Sequence, residues 1–312
     1  MITDIQNFIL PSDPNKIWFR VLLVLGIILI IIIAFKQINT DAYHEGFSQD
    51  SPFVVKRDVD IYDGFYVELY DKINQPEKQS TFIIEKVINM TQPSVKSVML
   101  DVGSGTGHLT NELKKSGYQV YGIDKSQAMV QFCETQYPDV PIKCGDIANP
   151  MSYDRNTFTH IICTNMMIYH FKDKVEFFRN CYYWLLPNAY LILHLVDREK
   201  FDPIMSAGKP TLLGSPQKYS ATRIVDTEID FVDFKYKSSY DFANEKTVVL
   251  TETMTDGLSH HVRQNELTLY MENYNDILTM AQYCGFIVQG QVDMGGCIGD
   301  EHQYIFVLER TL

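Results

Sequence analysis

The stretch that most constrains this chain is Ser97 to Leu109, Ser-Val-Met-Leu-Asp-Val-Gly-Ser-Gly-Thr-Gly-His-Leu. Val98, Met99 and Leu100 form a short apolar run of the kind a parallel strand covered on both faces shows, and Asp101 closes it. Gly103, Gly105 and Gly107 follow at alternate positions. A missing Cβ permits positive φ and lets a ligand approach the backbone. Strand, glycine turn and helix in this order predict an α/β fold with a socket for a nucleotide-like ligand.

Spacing decides between the glycine turns of this type. The dinucleotide pattern G-x-G-x-x-G/A needs Gly or Ala three residues after Gly105, and His108 stands there. This argues against a nicotinamide-dependent oxidoreductase. Further along, Tyr118 to Ile123 reads as a second strand ending at Asp124, about 20 positions past the glycine turn, where an α/β cofactor fold places a hydrogen bond to ribose hydroxyls. Ile142 to Ile147 carries Asp146, and Phe158 to Phe171 carries Asn165, Tyr169 and His170.

These four segments, in register, resemble the motifs of class I S-adenosylmethionine-dependent methyltransferases. The resemblance covers residues 60 to 309 and implies a Rossmann-like, doubly wound, mostly parallel seven-stranded sheet with an antiparallel closing pair. It implies S-adenosylmethionine as cofactor, with Asp101 supporting the loop and the methionine ammonium, and Gly103, Gly105 and Gly107 shaping the turn. Asp124 would hold the ribose, Asp146 would lie near the adenine amino group, and Asn165 would lie beneath the sulfonium. Tyr169 and His170 are the candidates for catalytic groups, a neutral His170 being able to accept a proton. No ligand cluster predicts a metal. Tyr62, Tyr66 and Tyr70 recur at helical spacing, as either a buried stripe or a lid over the cofactor.

At the amino terminus, residues 1–16 read as a polar tail and residues 17–35 as a transmembrane helix. The latter are apolar except for Arg20, and about 19 helical residues span roughly 28 Å, close to the hydrocarbon core of a bilayer. Residues 36–60 read as a juxtamembrane linker and 61–312 as the methyltransferase domain, with a substrate-side insertion over about 198–266. Lys16 and Arg20 on one flank against Lys36 on the other weakly favour a cytoplasmic amino terminus. Six cysteines without a compact disulfide framework, and a cofactor made in the cytosol, favour a catalytic domain facing the cytosol instead, which is the expectation adopted.

Within the later part of the chain, Pro187-Asn188 predicts a turn between a helix over 175–186 and a strand over 190–196. Phe231 to Phe242 and Thr247 to Met254 predict a hairpin. A net charge of −12 without a Lys/Arg run argues against a nucleic-acid substrate. The expected acceptor is a small molecule, a lipid or a protein near the membrane. A non-catalytic membrane-anchored scaffold is the alternative.

Overall fold

The computed structural model describes Trp18, residues 21–31, Ile33, residues 51–209 and residues 215–312. The chain divides into two units, Met1–Asp50 and Ser51–Leu312. In the first, residues 21–31 are helical with exposed apolar side chains. Among the described residues, no helix is long and apolar enough to cross a membrane. The span expected over 17–35 is therefore not established, since the rest of it lies outside the described residues. The same is true of the expected tail and of most of the expected linker.

The second unit is built on the seven-stranded sheet. Its parallel part comprises β2 (Val98–Val102), β3 (Gln119–Asp124), β4 (Ile142–Cys144), β5 (Phe158–Cys163) and β6 (Leu185–Val196). β11 (Phe286–Met294) and β12 (Asp300–Arg310) run antiparallel at one side, in the order β11-β12-β6-β5-β2-β3-β4. Alternate residues of the central strands feed two cores. Met99, Ile162 and Ile192 pack with Ile83 and Val87 of α2 (Pro76–Thr91) and with Leu109 and Leu113 of α3 (His108–Lys115). Leu100, Ile161, Leu191 and Leu193 pack with Phe177, Phe178 and Trp184 of α5 (Lys174–Trp184) and Ile277 of α6 (Tyr274–Tyr283). A strand of period 2 covered on both faces must be apolar at every position, which explains the continuous runs in the sequence.

The expected turn at Pro187-Asn188 takes the form of an irregularity within β6, whose pairing with β5 passes from Leu185 directly to Tyr190. β6 begins at Leu185 and runs through both residues, with Asn188 at φ +60° and a register shift in the pairing with β5. The proline removes a ladder donor, and the irregular pairing accommodates it.

A second, five-stranded sheet has the order β1-β10-β9-β8-β7. It comprises β1 (Phe53–Arg57), β7 (Asp226–Asp230), β8 (Phe234–Asp241), β9 (Thr247–Asp256) and β10 (Val262–Tyr270). The expected hairpin is β8–β9. Residues 53–57, read as linker, are instead a strand paired in parallel with β10. The chain then passes into α1 (Gly64–Asn74), which carries Tyr66 and Tyr70, and into α2, before entering the first sheet.

Candidate active site

A cavity of about 450 Å³ lies at the carboxyl ends of the parallel strands, where ligands of open α/β sheets bind. Gly103, Gly105, Asp124, Asp146, Asn165 and His170 line it. Six of the nine expected site residues thus share one space. The other three, Asp101, Gly107 and Tyr169, do not reach its wall.

The glycine turn is fixed by bonds to β3. Gly103 and Ser104 donate their N–H groups to the Ile123 carbonyl at 2.9 and 3.2 Å, and Gly105 donates to Asp124 Oδ2 at 2.9 Å. Asp124 Oδ1 accepts from Ser126 N at 2.8 Å, so the carboxylate spans the turn after β2 and the cap of α4 (Gln127–Gln136). Burial pushes the Asp124 pKa up, and the N–H groups of Ser126, Gly105 and Lys125 oppose that shift. Gly103, Gly105 and Gly107 all adopt positive φ. A Cβ at Gly107 would stand 2.2 Å from Cys133 Sγ, whereas one at Gly105 would meet nothing nearer than 4.0 Å and would enter the cavity. Gly107 is therefore needed for packing and Gly105 for the ligand.

Asp101 lies beneath the turn. It is buried, with Oδ2 accepting from Thr110 Oγ1 at 2.7 Å, and burial raises its pKa to about 7. Burial also pushes Asp146 upward, but Lys125 Nζ at 2.9 Å and the Ala148 N–H outweigh it and hold the carboxyl below its usual range. Asn165 follows β5 at φ +51°. His170 is held neutral, burial lowering its pKa to about 4 against the opposing charge of Asp58. Tyr169 is a core residue whose hydroxyl oxygen accepts from Val196 N at 2.8 Å, far too enclosed to reach a substrate. This corrects the expectation that it stands beside His170 as a catalytic group.

The tyrosines of the entry segment divide between the two expected roles. Tyr62 and Tyr70 line the cavity. Tyr66 points into the second sheet, where its hydroxyl donates to Glu252 Oε1 at 2.8 Å, beside Tyr236 at 2.7 Å. Two further bonds tie this segment to the cofactor motifs. Thr106 Oγ1 donates to Asp71 Oδ1 at 2.8 Å, and Ser126 Oγ donates to the Tyr62 carbonyl at 2.6 Å.

Two features were missed in the sequence. Lys174 looks like a solvated charge at a helix start, yet it is fully buried and donates to the Phe171 and Tyr270 carbonyls at 2.9 and 2.8 Å, with Glu272 Oε2 at 2.7 Å. It joins the loop carrying Asn165 and His170 to the end of β10. The second feature is a chamber of about 120 Å³ that shares Tyr70 and Asn165 with the main cavity. Its polar wall includes His194, Gln303 and the ion pair of Lys209 with Asp202 at 2.9 Å.

S-adenosylmethionine fits the residues present. The volume suits a ligand of that size, Gly105 leaves open the place a Cβ would fill, and carboxylates stand where hydroxyl and amino donors are to be met. Among the described residues, no group of three or more His, Cys, Asp or Glu side chains could hold a metal ion.

Comparison with known proteins agrees with this geometry. Residues 100–193 match the family model described as a methyltransferase domain. A malonyl-[acyl-carrier protein] O-methyltransferase of Halalkalibacterium halodurans is 25% identical over 158 residues, which cover 48% of this chain and 58% of that protein. The chain thus spans little more than half the length of that curated relative. Among solved structures, an S-adenosylmethionine-dependent methyltransferase from Clostridium acetobutylicum superimposes with a TM-score of 0.60 at 19% identity, covering 79% of this chain and 98% of that one. An S-adenosylmethionine-bound amino pentose methyltransferase from Micromonospora echinaspora gives a TM-score of 0.51 at 16% identity, covering 75% and 90%. Residues 100–193 thus resemble a methyltransferase domain, and residues 51–312 have the α/β fold of S-adenosylmethionine-dependent methyltransferases.

Proposed function

We propose that this protein transfers a methyl group from S-adenosylmethionine to a small polar acceptor. The observation that carries the reading is that two chambers share Tyr70 and Asn165 in their walls, with the glycine turn and Asp124 on one side and a polar pocket on the other. S-adenosylmethionine supplies a methyl group already activated by its sulfonium, so the protein's task is positioning and exclusion of water.

In this reading Asp124 holds the ribose hydroxyls, Asp146 faces the adenine amino group, and Asp101, which does not reach the cavity wall, supports the turn from below through Thr110 rather than touching the methionine ammonium. Asn165 stands between the cofactor cavity and the chamber assigned to the acceptor. His170 is neutral at physiological pH, so it is able to take a proton from an incoming hydroxyl or amine. The second chamber's size favours a small acceptor over a macromolecular one.

The reading includes a single membrane anchor over residues 17–35 and a catalytic unit facing the cytosol. The exposed apolar side chains of the described helical residues 21–31 support it, because a water-facing helix of this composition would leave a large apolar surface uncovered. The unpaired state of all six cysteines is consistent with a reducing compartment.

The test is release of S-adenosylhomocysteine by the full chain on incubation with S-adenosylmethionine and a panel of small alcohols and amines. Acceptor-dependent release is expected. Binding of the cofactor with no release on any acceptor would favour the non-catalytic scaffold.

A further inference from the structure

We infer that one end of the five-stranded sheet is a rim that rests in the interfacial layer of a lipid bilayer; this rests on the anchor reading above. Three separate pieces of chain meet at that end. β1 begins there, with Phe53 opposite Val262, the first residue of β10. The β9–β10 loop turns there, since Thr255 pairs with Val262, and so does the β7–β8 loop, since Asp230 pairs with Lys235. Backbone bonds hold them together. Gly257 N donates to the Asp233 carbonyl at 3.0 Å, and Val262 N donates to the Pro52 carbonyl at 2.8 Å.

Each piece presents an apolar side chain outward. Val232 is 81% exposed, Leu258 68% and Phe53 52%. Scattered singly, such residues need no explanation, but three at the tips of adjoining segments form a surface that water penalises. Hairpin tips more commonly carry Gly, Asn, Asp or Ser.

Chain continuity identifies what covers this surface. Phe53 follows the apolar run at a separation of only 20 positions from Ile33, so an anchored chain enters its folded unit at this same rim. The charges around the rim are mixed. Asp230 and Lys235 pair at 3.9 Å, with Asp233, His260 and His261 nearby, so attraction to lipid is apolar and needs no anionic headgroups. Leu267, on the cavity wall, lies five residues along β10 from Val262, roughly 17 Å at 3.4 Å per residue.

The test uses the full chain in phosphatidylcholine vesicles containing brominated lipid, with Trp18→Phe to remove the tryptophan of the apolar segment. A probe is introduced as Val232→Trp and, in a separate control, as Val95→Trp, an exposed position in the turn before β2. Bromolipid quenching is expected to be at least twofold stronger at position 232 than at 95, and adding Leu258→Asp should abolish the difference. Equal quenching at both positions, in protein that floats with the vesicles, overturns the rim and leaves the anchor standing. Protein that does not float overturns both.

Discussion

Gly105 donates its backbone N–H to Asp124 Oδ2 at 2.9 Å, joining the glycine turn after β2 to the carboxyl end of β3. The two residues are 19 positions apart, and each alone is commonplace, a turn glycine and a strand-end aspartate. Together they form one wall of the cavity. Asp124 thus does two things: it shapes the turn, and it presents a carboxylate to whatever the turn holds.

Gly105 and Gly107 should respond differently to alanine. At Gly107 (φ +82°), left-handed strain of about 1–2 kcal/mol is joined by a clash with Cys133 Sγ at 2.2 Å, and overpacking typically costs about 1–3 kcal/mol. Gly107→Ala should lower Tm by about 10 °C, at 2–4 °C per kcal/mol for a domain of this size. Gly105→Ala should lose only the strain and yet weaken cofactor binding by at least about tenfold, because its methyl enters the cavity. Thermal melts and titrations of the two variants check the contrast.

Asp101 makes stability depend on pH in an unusual direction. Its folded pKa, near 7, lies above the unfolded value of about 3.9. Between those values the folded state holds a proton that the unfolded state has lost, so this group's contribution to stability falls as pH rises from about 4 to 7 and is flat above. Tm of the cofactor-free protein should decline across that window, and Asp101→Asn should flatten the decline. A variant with an unchanged slope would exclude Asp101 as its source.

Lys174→Met should destabilise by about 3 kcal/mol, as breaking one partner of a buried ion pair does. It strips Glu272 of its cation and leaves the Phe171 and Tyr270 carbonyls without their donor. Adding Glu272→Leu should recover part of the loss, which denaturant titration of single and double variants would show.

Legibility of the site followed local pattern. The parallel core was readable because strands buried on both faces are continuously apolar, and the motif residues stand at their ends. What escaped was decided by distant partners. Glu252 sits at the inward parity of β9, between Leu250 and Met254, and is tolerated only because Tyr66, Tyr236 and Asn265 donate to it at 2.8, 2.7 and 3.2 Å. Arg263 is buried in the same way by a two-bond pairing with Asp63, 200 positions away. Nothing local in the sequence marks either charge as buried, and β10 with its polar run is not among the expected strands. Tyr169 erred in the opposite sense: its place beside His170 suggested chemistry, while its hydroxyl is engaged by Val196.

The most direct test is calorimetric titration of the full chain with S-adenosylmethionine and S-adenosylhomocysteine, with NAD as control, alongside Asp124→Ala. The expected result is binding of both sulfur compounds, none of NAD, and a loss of at least about tenfold in affinity for the folded variant, in keeping with about 1.5–3 kcal/mol for hydrogen bonds to a charged group. Absence of binding to the folded wild-type chain, or undiminished binding by Asp124→Ala, would contradict the account.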